Sequence, residues 1–167
     1  TTSFNLKGSN SVTIAATTAN VIDASGLTGT TGVTMNAAAV GVTTITGSAG
    51  IDALIGDASS TINGGGGVDT ITGGSGNDVI NGDAGNDIID SNAGTDTVNG
   101  GAGNDTVNIS TDADIGSGDV YIGGAGTDTL AFNAAQTTNG AAELQSVSGF
   151  EVLTMATTAT ESLSMSD

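Results

Sequence analysis

The stretch GGGGVDTIT GGSGNDVIN GDAGNDIID SNAGTDTVN GGAGNDTVN, residues 64–108, decides the fold because it is a nine-residue repeat. The fourth place of every unit is glycine and the sixth place is aspartate. The eighth place always holds a branched apolar residue: Ile71, Ile80, Ile89, Val98 and Val107. A constant period that fixes two chemical types indicates a repeat architecture, in which each unit is the same small piece of structure.

The repeat extends outward with declining quality. Upstream, GSAGIDALI (47–55) keeps the glycine and the aspartate, whereas GDASSTIN (56–63) is one residue short and lacks the aspartate. Downstream, residues 109–113 resemble a five-residue insertion. DIGSGDVYI (114–122) then keeps little more than the aspartate and one apolar residue, and GGAGTDTLA (123–131) restores the pattern. The sequence thus contains nine units, of which seven carry the residues of a working repeat.

The spacing predicts how one unit folds. Six residues rich in glycine suit a tight turn, and the next three suit a short strand whose middle residue points inward. Two units then make one coil, so the turns of alternate units stack on the same side. We therefore predict an all-β chain, a parallel β-roll or β-solenoid with Ca²⁺ bound between stacked nonapeptide turns. An alternative makes the Asn-Gly pairs hairpin turns, but hairpins need longer, alternating strands on both sides.

The turns concentrate oxygen atoms. Glycine lets the backbone turn tightly with its carbonyl groups facing the next turn, and the sixth-place carboxylate points into the same gap. Such an all-oxygen cage suits the size and hardness of Ca²⁺. Stacking predicts two columns of ligands: Asp52, Asp69, Asp87, Asp105 and Asp128 in the first column, and Asp78, Asp96 and Asp119 in the second column.

Ions are expected between successive aspartates of one column. The pairs expected to flank an ion are Asp52/Asp69, Asp69/Asp87, Asp87/Asp105 and Asp78/Asp96. For the pairs Asp105/Asp128 and Asp96/Asp119, an interrupted stack stays an open alternative, because the insertion separates their units.

The composition excludes several classes of function. One basic residue, Lys7, stands against 18 acidic ones, so the chain has no basic patch for a nucleic acid. Without His or Cys, the usual catalytic triads and zinc sites are excluded, and no enzyme activity is expected. No apolar run is long enough to predict a membrane span. The net charge of −17 predicts neutralisation by bound cations, since many of the aspartates share one position of the repeat.

The flanks carry a weaker strand pattern. Residues 1–46 lack the aspartates but keep β-branched triplets such as Val33-Thr34-Met35, which predict irregular solenoid rungs, with a loose sandwich edge as the alternative. Residues 132–167 predict further rungs. Glu151 among them is expected on a solvated face, with a salt link or a calcium contact as the alternative. The predicted organisation is an N-terminal flank, a calcium-binding roll over 47–131 and a C-terminal flank.

Over residues 47–131 the repeat resembles that of the RTX (repeats-in-toxin) family of proteins exported by bacterial type I secretion. The resemblance implies several ions, roughly four to eight, held by sixth-place aspartates and by backbone carbonyls of turn glycines. The glycines that match are Gly64, Gly65, Gly67, Gly73, Gly74, Gly76, Gly82, Gly85, Gly94, Gly100, Gly101, Gly103, Gly124 and Gly126. Ser91-Asn92 departs from the family pattern, because it replaces the two opening glycines of its unit.

The flanks also point to a parent protein. Their Thr/Ala/Gly/Asn-rich background and phrases such as VIDASGLTG (21–29) and SGFEVLTM (148–155) are similar to RTX-type surface-layer proteins. This resemblance implies a structural segment of a secreted, self-assembling protein at a bacterial cell surface, in which Ca²⁺ drives folding and assembly. The alternatives are a segment of a large secreted adhesin and the export module of a hydrolase or toxin.

Two expectations concern the surroundings of the chain. Calcium, further copies or other segments of the parent chain are the expected partners, with cell-surface polysaccharide as another candidate. Because the chain shows no initiator Met and no signal peptide, it is expected to be part of a longer protein.

Overall fold

A computed structural model describes residues 3–8, 12–14, 20–28, 31–36, 42–110, 118–133 and 146–155. Within these residues all regular structure is β-strand, which confirms the predicted all-β class. The described residues contain no helix with the length and apolar character needed to cross a lipid bilayer.

The described strands are short, as expected for three-residue strand segments extended into the turns. They are β1 (Ser3–Gly8), β2 (Val12–Ile14), β3 (Val21–Leu27), β4 (Thr31–Asn36), β5 (Thr44–Thr46), β6 (Ile51–Ile55), β7 (Thr61–Gly66), β8 (Thr70–Gly74), β9 (Val79–Ala84), β10 (Ile88–Asn92), β11 (Thr97–Ala102), β12 (Thr106–Ile109), β13 (Val120–Ala125), β14 (Thr129–Phe132), β15 (Val147–Ser148) and β16 (Val152–Met155).

These strands form two parallel sheets. The odd-numbered strands make one sheet and the even-numbered strands the other, so each strand is hydrogen-bonded to the strand two places along the chain. Ile62 of β7 pairs with Ile80 of β9, which lies two units later in the sequence. The parallel β-roll is therefore confirmed, and the hairpin alternative is wrong for the described strands.

Two rows of apolar side chains meet between the sheets. The odd sheet contributes Ile22, Ile45, Ile62, Ile80, Val98 and Tyr121, and the even sheet contributes Met35, Leu54, Ile71, Ile89, Val107 and Leu130. None of these side chains is more than 2% exposed. The eighth-place residues thus form the core, and each large aliphatic side chain contributes about 2 kcal/mol to folding by leaving water.

Asparagine side chains at the ends of the strand segments pair between neighbouring coils in both sheets. The Asn81 amide Nδ2 donates to Oδ1 of Asn63 at 2.9 Å, and Asn133 donates to Asn108 in the other sheet at the same distance. Asn63 and Asn81 also face each other in the parallel ladder of β7 and β9. The asparagines of the pairs Asn63-Gly64 and Asn81-Gly82 are therefore joined by a side-chain hydrogen bond between coils.

The insertion does not interrupt the stack. Val107 of β12 pairs with Leu130 of β14, so the coil is five residues longer here but keeps its register. The expectation that Ile109 belongs to the insertion is wrong, because it continues β12, pairs with Phe132 and is fully buried. An apolar side chain at the first place of this unit thus extends the core.

The described strands of both flanks belong to the same two sheets. Strands β1 to β5 carry the N-terminal rungs, and β15 and β16 pair with β13 and β14. Register shifts interrupt the β1–β3 pairing between Asn5 and Lys7 and the β4–β6 pairing between Thr31 and Thr34. The N-terminal rungs are thus irregular members of one continuous solenoid.

Candidate metal sites

Most of the central turns contain residues with positive φ at their second and fourth places. Gly65 has a φ of 103° and Gly67 a φ of 106°, values that strain a residue with a Cβ atom. At the second place of two other units, Asp83 and Asn92 adopt φ of 71° and 60°. Asp and Asn tolerate this region best among residues with side chains. The turn therefore keeps its shape where glycine is replaced, including in the Ser91-Asn92 unit.

The first-place glycines leave a small space beside the aspartate. A Cβ atom at Gly64 would lie 2.6 Å from Oδ2 of Asp69 and 2.5 Å from the carbonyl oxygen of Gly82 in the next coil. Gly73 and Gly100 show the same arrangement in their own turns. A carboxylate oxygen and a carbonyl oxygen thus converge on a space that a side chain would fill.

Further carbonyl groups of the turns face the neighbouring coil. Several of the expected glycines direct their carbonyl oxygens toward a glycine of the adjacent coil. The glycines that supply these oxygens are Gly64, Gly67, Gly73, Gly76, Gly82, Gly85, Gly100, Gly101 and Gly103. Alternate turns therefore stack closely, and carbonyl oxygen atoms line the gap between them.

One oxygen of each sixth-place carboxylate accepts a hydrogen bond from the backbone of a neighbouring coil. Oδ1 of Asp69 accepts a hydrogen bond from the backbone N–H of Asp52 at 2.8 Å, and Oδ1 of Asp87 accepts one from Asp69 at 2.8 Å. The same bond joins the pairs Asp87/Asp105, Asp105/Asp128, Asp78/Asp96 and Asp96/Asp119. We call these two chains of N–H to Oδ1 bonds the aspartate ladders. Because the pairs across the insertion keep the bond, the interrupted stack is excluded.

The other carboxylate oxygen has no donor. The Oδ2 atoms of five residues are buried and accept no hydrogen bond within the described part of the chain: Asp69, Asp78, Asp87, Asp105 and Asp128. A buried carboxylate without a compensating charge is costly. Carboxylates one coil apart, about 4.8 Å, also repel each other by on the order of 3 kcal/mol per pair at an effective dielectric constant near 20. The geometry therefore favours a cation or a proton at these Oδ2 atoms.

Burial raises the pKa of these carboxyl groups. Desolvation is the main cause, and it raises the pKa of Asp69 to about 7 and the pKa values of Asp78 and Asp87 to about 6. The backbone N–H at Oδ1 opposes the shift, whereas neighbouring aspartates of the column add to it. Burial likewise raises the pKa of Asp105. Without a cation, the ladders therefore hold protons close to neutral pH.

The donor set fits calcium. Among the described residues, no three Asp or Glu side chains gather into one metal-binding group, and the chain has no His or Cys. A site must therefore combine one or two carboxylates with backbone carbonyls, which is the hard oxygen coordination that Ca²⁺ takes and softer metals do not. The sixth-place aspartates and the first-place carbonyls are the residues that would hold the ion.

Comparison with protein families identifies the repeat. Residues 58–89 and 72–107 match the family model of the RTX calcium-binding nonapeptide repeat (4 copies). Residues 58–107 are therefore similar to RTX calcium-binding repeats. The two RTX matches together span under a third of the chain and include five of the predicted ligands, Asp69, Asp78, Asp87, Asp96 and Asp105. No curated protein and no solved structure matches the chain.

Asp52 lies outside the RTX match and differs from the ladder residues inside it. Its Oδ1 accepts hydrogen bonds from the Val33 N–H at 2.6 Å and from the Ser48 hydroxyl at 2.9 Å. Its Oδ2 accepts one from the Ser48 N–H at 2.6 Å. Asp52 therefore continues the first ladder, but protein donors hold both of its oxygens.

Two further residues take part in the ladders, a role that the repeat pattern did not predict. Ser60 takes the place of the missing aspartate of unit 56–63, and its N–H donates to Oδ1 of Asp78 at 2.6 Å. Glu151 is exposed, yet its carboxylate accepts the N–H of Asp128 at 2.9 Å and so ends the first ladder. The distance of 23 residues from Asp128 to Glu151 repeats the one from Asp105 to Asp128, and this signal could have identified Glu151.

Ser91 gives one RTX turn a different interior. It occupies the first place, where most units have glycine, and it is fully buried. Its hydroxyl lies 3.1 Å from the hydroxyl of Tyr121 in the opposite sheet, so the two groups share a hydrogen bond. The carbonyl oxygen of Ser91 still faces Gly73 of the preceding coil. The unit thus keeps its backbone oxygen while a side chain fills the space that glycine leaves open.

Proposed function

We propose that this chain is a structural segment of a secreted bacterial surface-layer protein, in which calcium drives both folding and assembly. The RTX repeats at 58–107 supply the calcium-binding part of this function. The surface location and the assembly are inferred from the buried carboxylates, the exposed C-terminal strand and the net charge.

The row of buried Oδ2 atoms carries the proposal. Closing the coils takes these carboxylates out of water, so the folded chain without cations holds uncompensated charge. Each occupied site stabilises the folded state by RT ln(1 + [Ca]/Kd), about 2.7 kcal/mol at a hundredfold excess over Kd. A few such sites equal the total stability of an ordinary domain, about 5–15 kcal/mol. Folding therefore depends on calcium, which supports a protein that works outside the cell.

The C-terminal end of the described solenoid supports assembly. Leu153 of β16 continues the inner row by pairing with Leu130, yet it is 41% exposed. Val152 and Met155 of the same strand are each 38% exposed. Among the described strands none pairs with the outer edge of β16, so backbone groups and apolar side chains are open together. A second copy, or another segment of the parent chain, can cover this end.

The charge explains why assembly would follow calcium binding. At −17 the free chain repels its own copies. Every bound Ca²⁺ removes two of these charges, so copies approach each other only after the sites fill. Calcium thus controls both the fold of one chain and the contact between chains.

Sedimentation velocity of the chain in chelator, in several millimolar Ca²⁺ and in the same concentration of Mg²⁺ tests the proposal. We expect a slow, expanded monomer in chelator and in Mg²⁺, and compact chains that grow into large species in Ca²⁺. Mg²⁺ is the matched control because it demands a small octahedral site and binds such carbonyl cages poorly.

Two outcomes would change the assignment. Compact monomers that never grow in calcium would place assembly outside this chain and favour the adhesin or the export module of a hydrolase or toxin. An identical sedimentation coefficient in all three solutions would show that calcium does not control folding. A shift on adding purified cell-surface polysaccharide to the calcium-loaded chain would identify the anchor.

A further inference from the structure

The first unit of each column closes its turn with protein hydrogen bonds. In unit 47–55, the N–H of Ser48 donates to Oδ2 of Asp52 at 2.6 Å, and the Ser48 hydroxyl donates to Oδ1. In unit 56–63, the N–H of Asp57 donates to the Ser60 hydroxyl at 3.1 Å. In both units the second-place N–H therefore donates a hydrogen bond to the side chain at the aspartate position. We call these two units the N-terminal cap.

The backbone of the cap differs from that of the later turns. Second-place residues of the later units have positive φ, for example 103° at Gly65 and 112° at Gly101, whereas Ser48 and Asp57 lie outside the positive range. Since φ is the rotation about the N–Cα bond, this difference turns the second-place N–H in a different direction. In the unit of Asp69 the second-place N–H therefore does not donate to the carboxylate, and the Oδ2 atom of Asp69 accepts no hydrogen bond from the described residues.

The Gly47–Ser48 peptide makes the cap unsuited to an ion. The N–H and C=O of a trans peptide point in opposite directions, so a peptide whose N–H meets Asp52 directs its carbonyl oxygen away from that carboxylate. An N–H presents a partial positive charge to Oδ2, which takes the electrostatic role of a cation. The Gly64 carbonyl approaches Gly47 as its counterparts do in later turns, so Ser48 makes the difference.

We infer that Ser48 and Ser60 close a calcium-independent cap, and that the calcium ladder starts at Asp69 in the first column and at Asp78 in the second. Asp52, which the repeat pattern presents as a ligand, is then a structural acceptor that joins the cap to Val33 of the N-terminal rungs. The inference rests on calcium binding by the central units and deepens the proposed function, because it sets the N-terminal limit of the calcium-dependent part.

Counting bound calcium by native mass spectrometry in Asp52→Asn and Asp87→Asn tests the inference. Both substitutions remove one charge from the sixth place of the first column, so each controls for the other. We expect Asp52→Asn to keep the wild-type number of ions and Asp87→Asn to lose at least one. Loss of an ion from Asp52→Asn, with its β-structure intact by circular dichroism, would overturn the cap.

Ser48→Gly provides a second test, which does not require Asp52→Asn to fold. Glycine can adopt the positive φ of the later turns, which turns the N–H away and frees Oδ2 of Asp52. We expect one additional ion in millimolar calcium, whereas Ala49→Gly, which adds the same flexibility one residue later, keeps the wild-type count. An unchanged count in Ser48→Gly would contradict the inference. Absence of calcium from the wild-type chain would instead contradict the proposed function.

Discussion

The central units, residues 64–110, and the described N-terminal rungs, residues 20–28, 31–36 and 42–46, build the same coil in two ways. Both contribute to the same two sheets, and Ile80 and Ile45 are equally buried in the same inner row. The central turns contain buried carboxylates whose Oδ2 atoms lack a donor within the described residues. In the N-terminal rungs, Asp23 instead bonds to the N–H and hydroxyl of Ser25 near the surface. Buried apolar side chains are therefore enough to form a coil. The aspartates of the central turns add a dependence of that coil on calcium.

Removal of calcium is expected to produce the largest difference between these two regions. With chelator, residues 64–110 should lose at least a hundredfold of their amide protection, because their buried carboxylates lose the compensating charge. Residues 20–28 and 42–46 should lose less, since no such carboxylate lies in their turns. Hydrogen exchange with mass spectrometry measures both regions in one sample. Equal loss in the two regions would show that they unfold as one unit.

Gly85→Ala should strongly destabilise the central turns. Gly85 has a φ of 144°, and a Cβ atom there would collide with the carbonyl group of Gly67. Strain and collision together should lower the free energy of unfolding in saturating calcium by about 2–4 kcal/mol. Gly66→Ala is the control, because a Cβ atom there would make ordinary contacts of 3.7 Å or longer. Urea denaturation compares the two, and equal losses would refute the role of close coil stacking.

Asp87→Asn should raise the calcium concentration at the folding midpoint about tenfold, which corresponds to about 1.4 kcal/mol. In chelator the sign should reverse, because the substitution removes a buried charge that repels Asp69 and Asp105. Asp23→Asn, outside the ladders, should leave the calcium midpoint within about twofold and the β-structure in chelator unchanged. Calcium titrations and the β-structure that remains in chelator, both followed by circular dichroism, measure the two effects. Less remaining β-structure in Asp87→Asn than in the wild-type chain would contradict the repulsion.

Acid should weaken calcium binding by the central units. The folded-state pKa values of Asp69 (about 7) and Asp87 (about 6) exceed the unfolded value of about 4. Their contribution to the stability of the calcium-free fold is therefore complete below about pH 4 and is lost as the pH rises through 6 to 7. Calcium requires the deprotonated form, so the calcium midpoint should rise as the pH falls from 8 to 5. A midpoint that is constant across this range would contradict the raised pKa values.

The smallest expected effect concerns Tyr121→Phe. The substitution leaves the Ser91 hydroxyl without its Tyr121 partner inside the core, which should cost about 1 kcal/mol. The double substitution with Ser91→Ala removes both hydroxyl groups and should cost less than the sum of the two single changes. Thermal unfolding in saturating calcium measures all three variants. Strict additivity would show that the two hydroxyl groups do not interact.

The repeat made the central fold predictable. Five units in phase fix the period, the inward eighth-place residue and the position of the aspartate, so the parallel pairing and the two columns follow from residues 64–108 alone. Buried Asp69 and Asp87 lie where the pattern predicts, because each unit meets the same neighbours one coil away.

The ends of the ladders could not be predicted in the same way. Ser60 donates the usual backbone N–H but has no carboxylate, and Glu151 accepts the bond with a longer carboxylate, so the aspartate pattern does not mark them. Ile109 shows the same limit, since its burial depends on Phe132 in the next coil and not on the local pattern. A repeat predicts the contacts that recur in every unit. The residues at its ends have partners that occur only once in the chain, so the repeat does not predict them.

The ladder bond between one N–H and the Oδ1 of the next coil makes the roll modular in length. Asp69 meets Asp87 through the same bond by which Asp87 meets Asp105. Removing or adding 18 residues therefore brings an identical partner to each side of the junction, with both inner rows still in register. Such a roll can act as a molecular spacer whose length changes in steps of one coil, about 4.8 Å, while the strands and turns of every remaining coil stay the same.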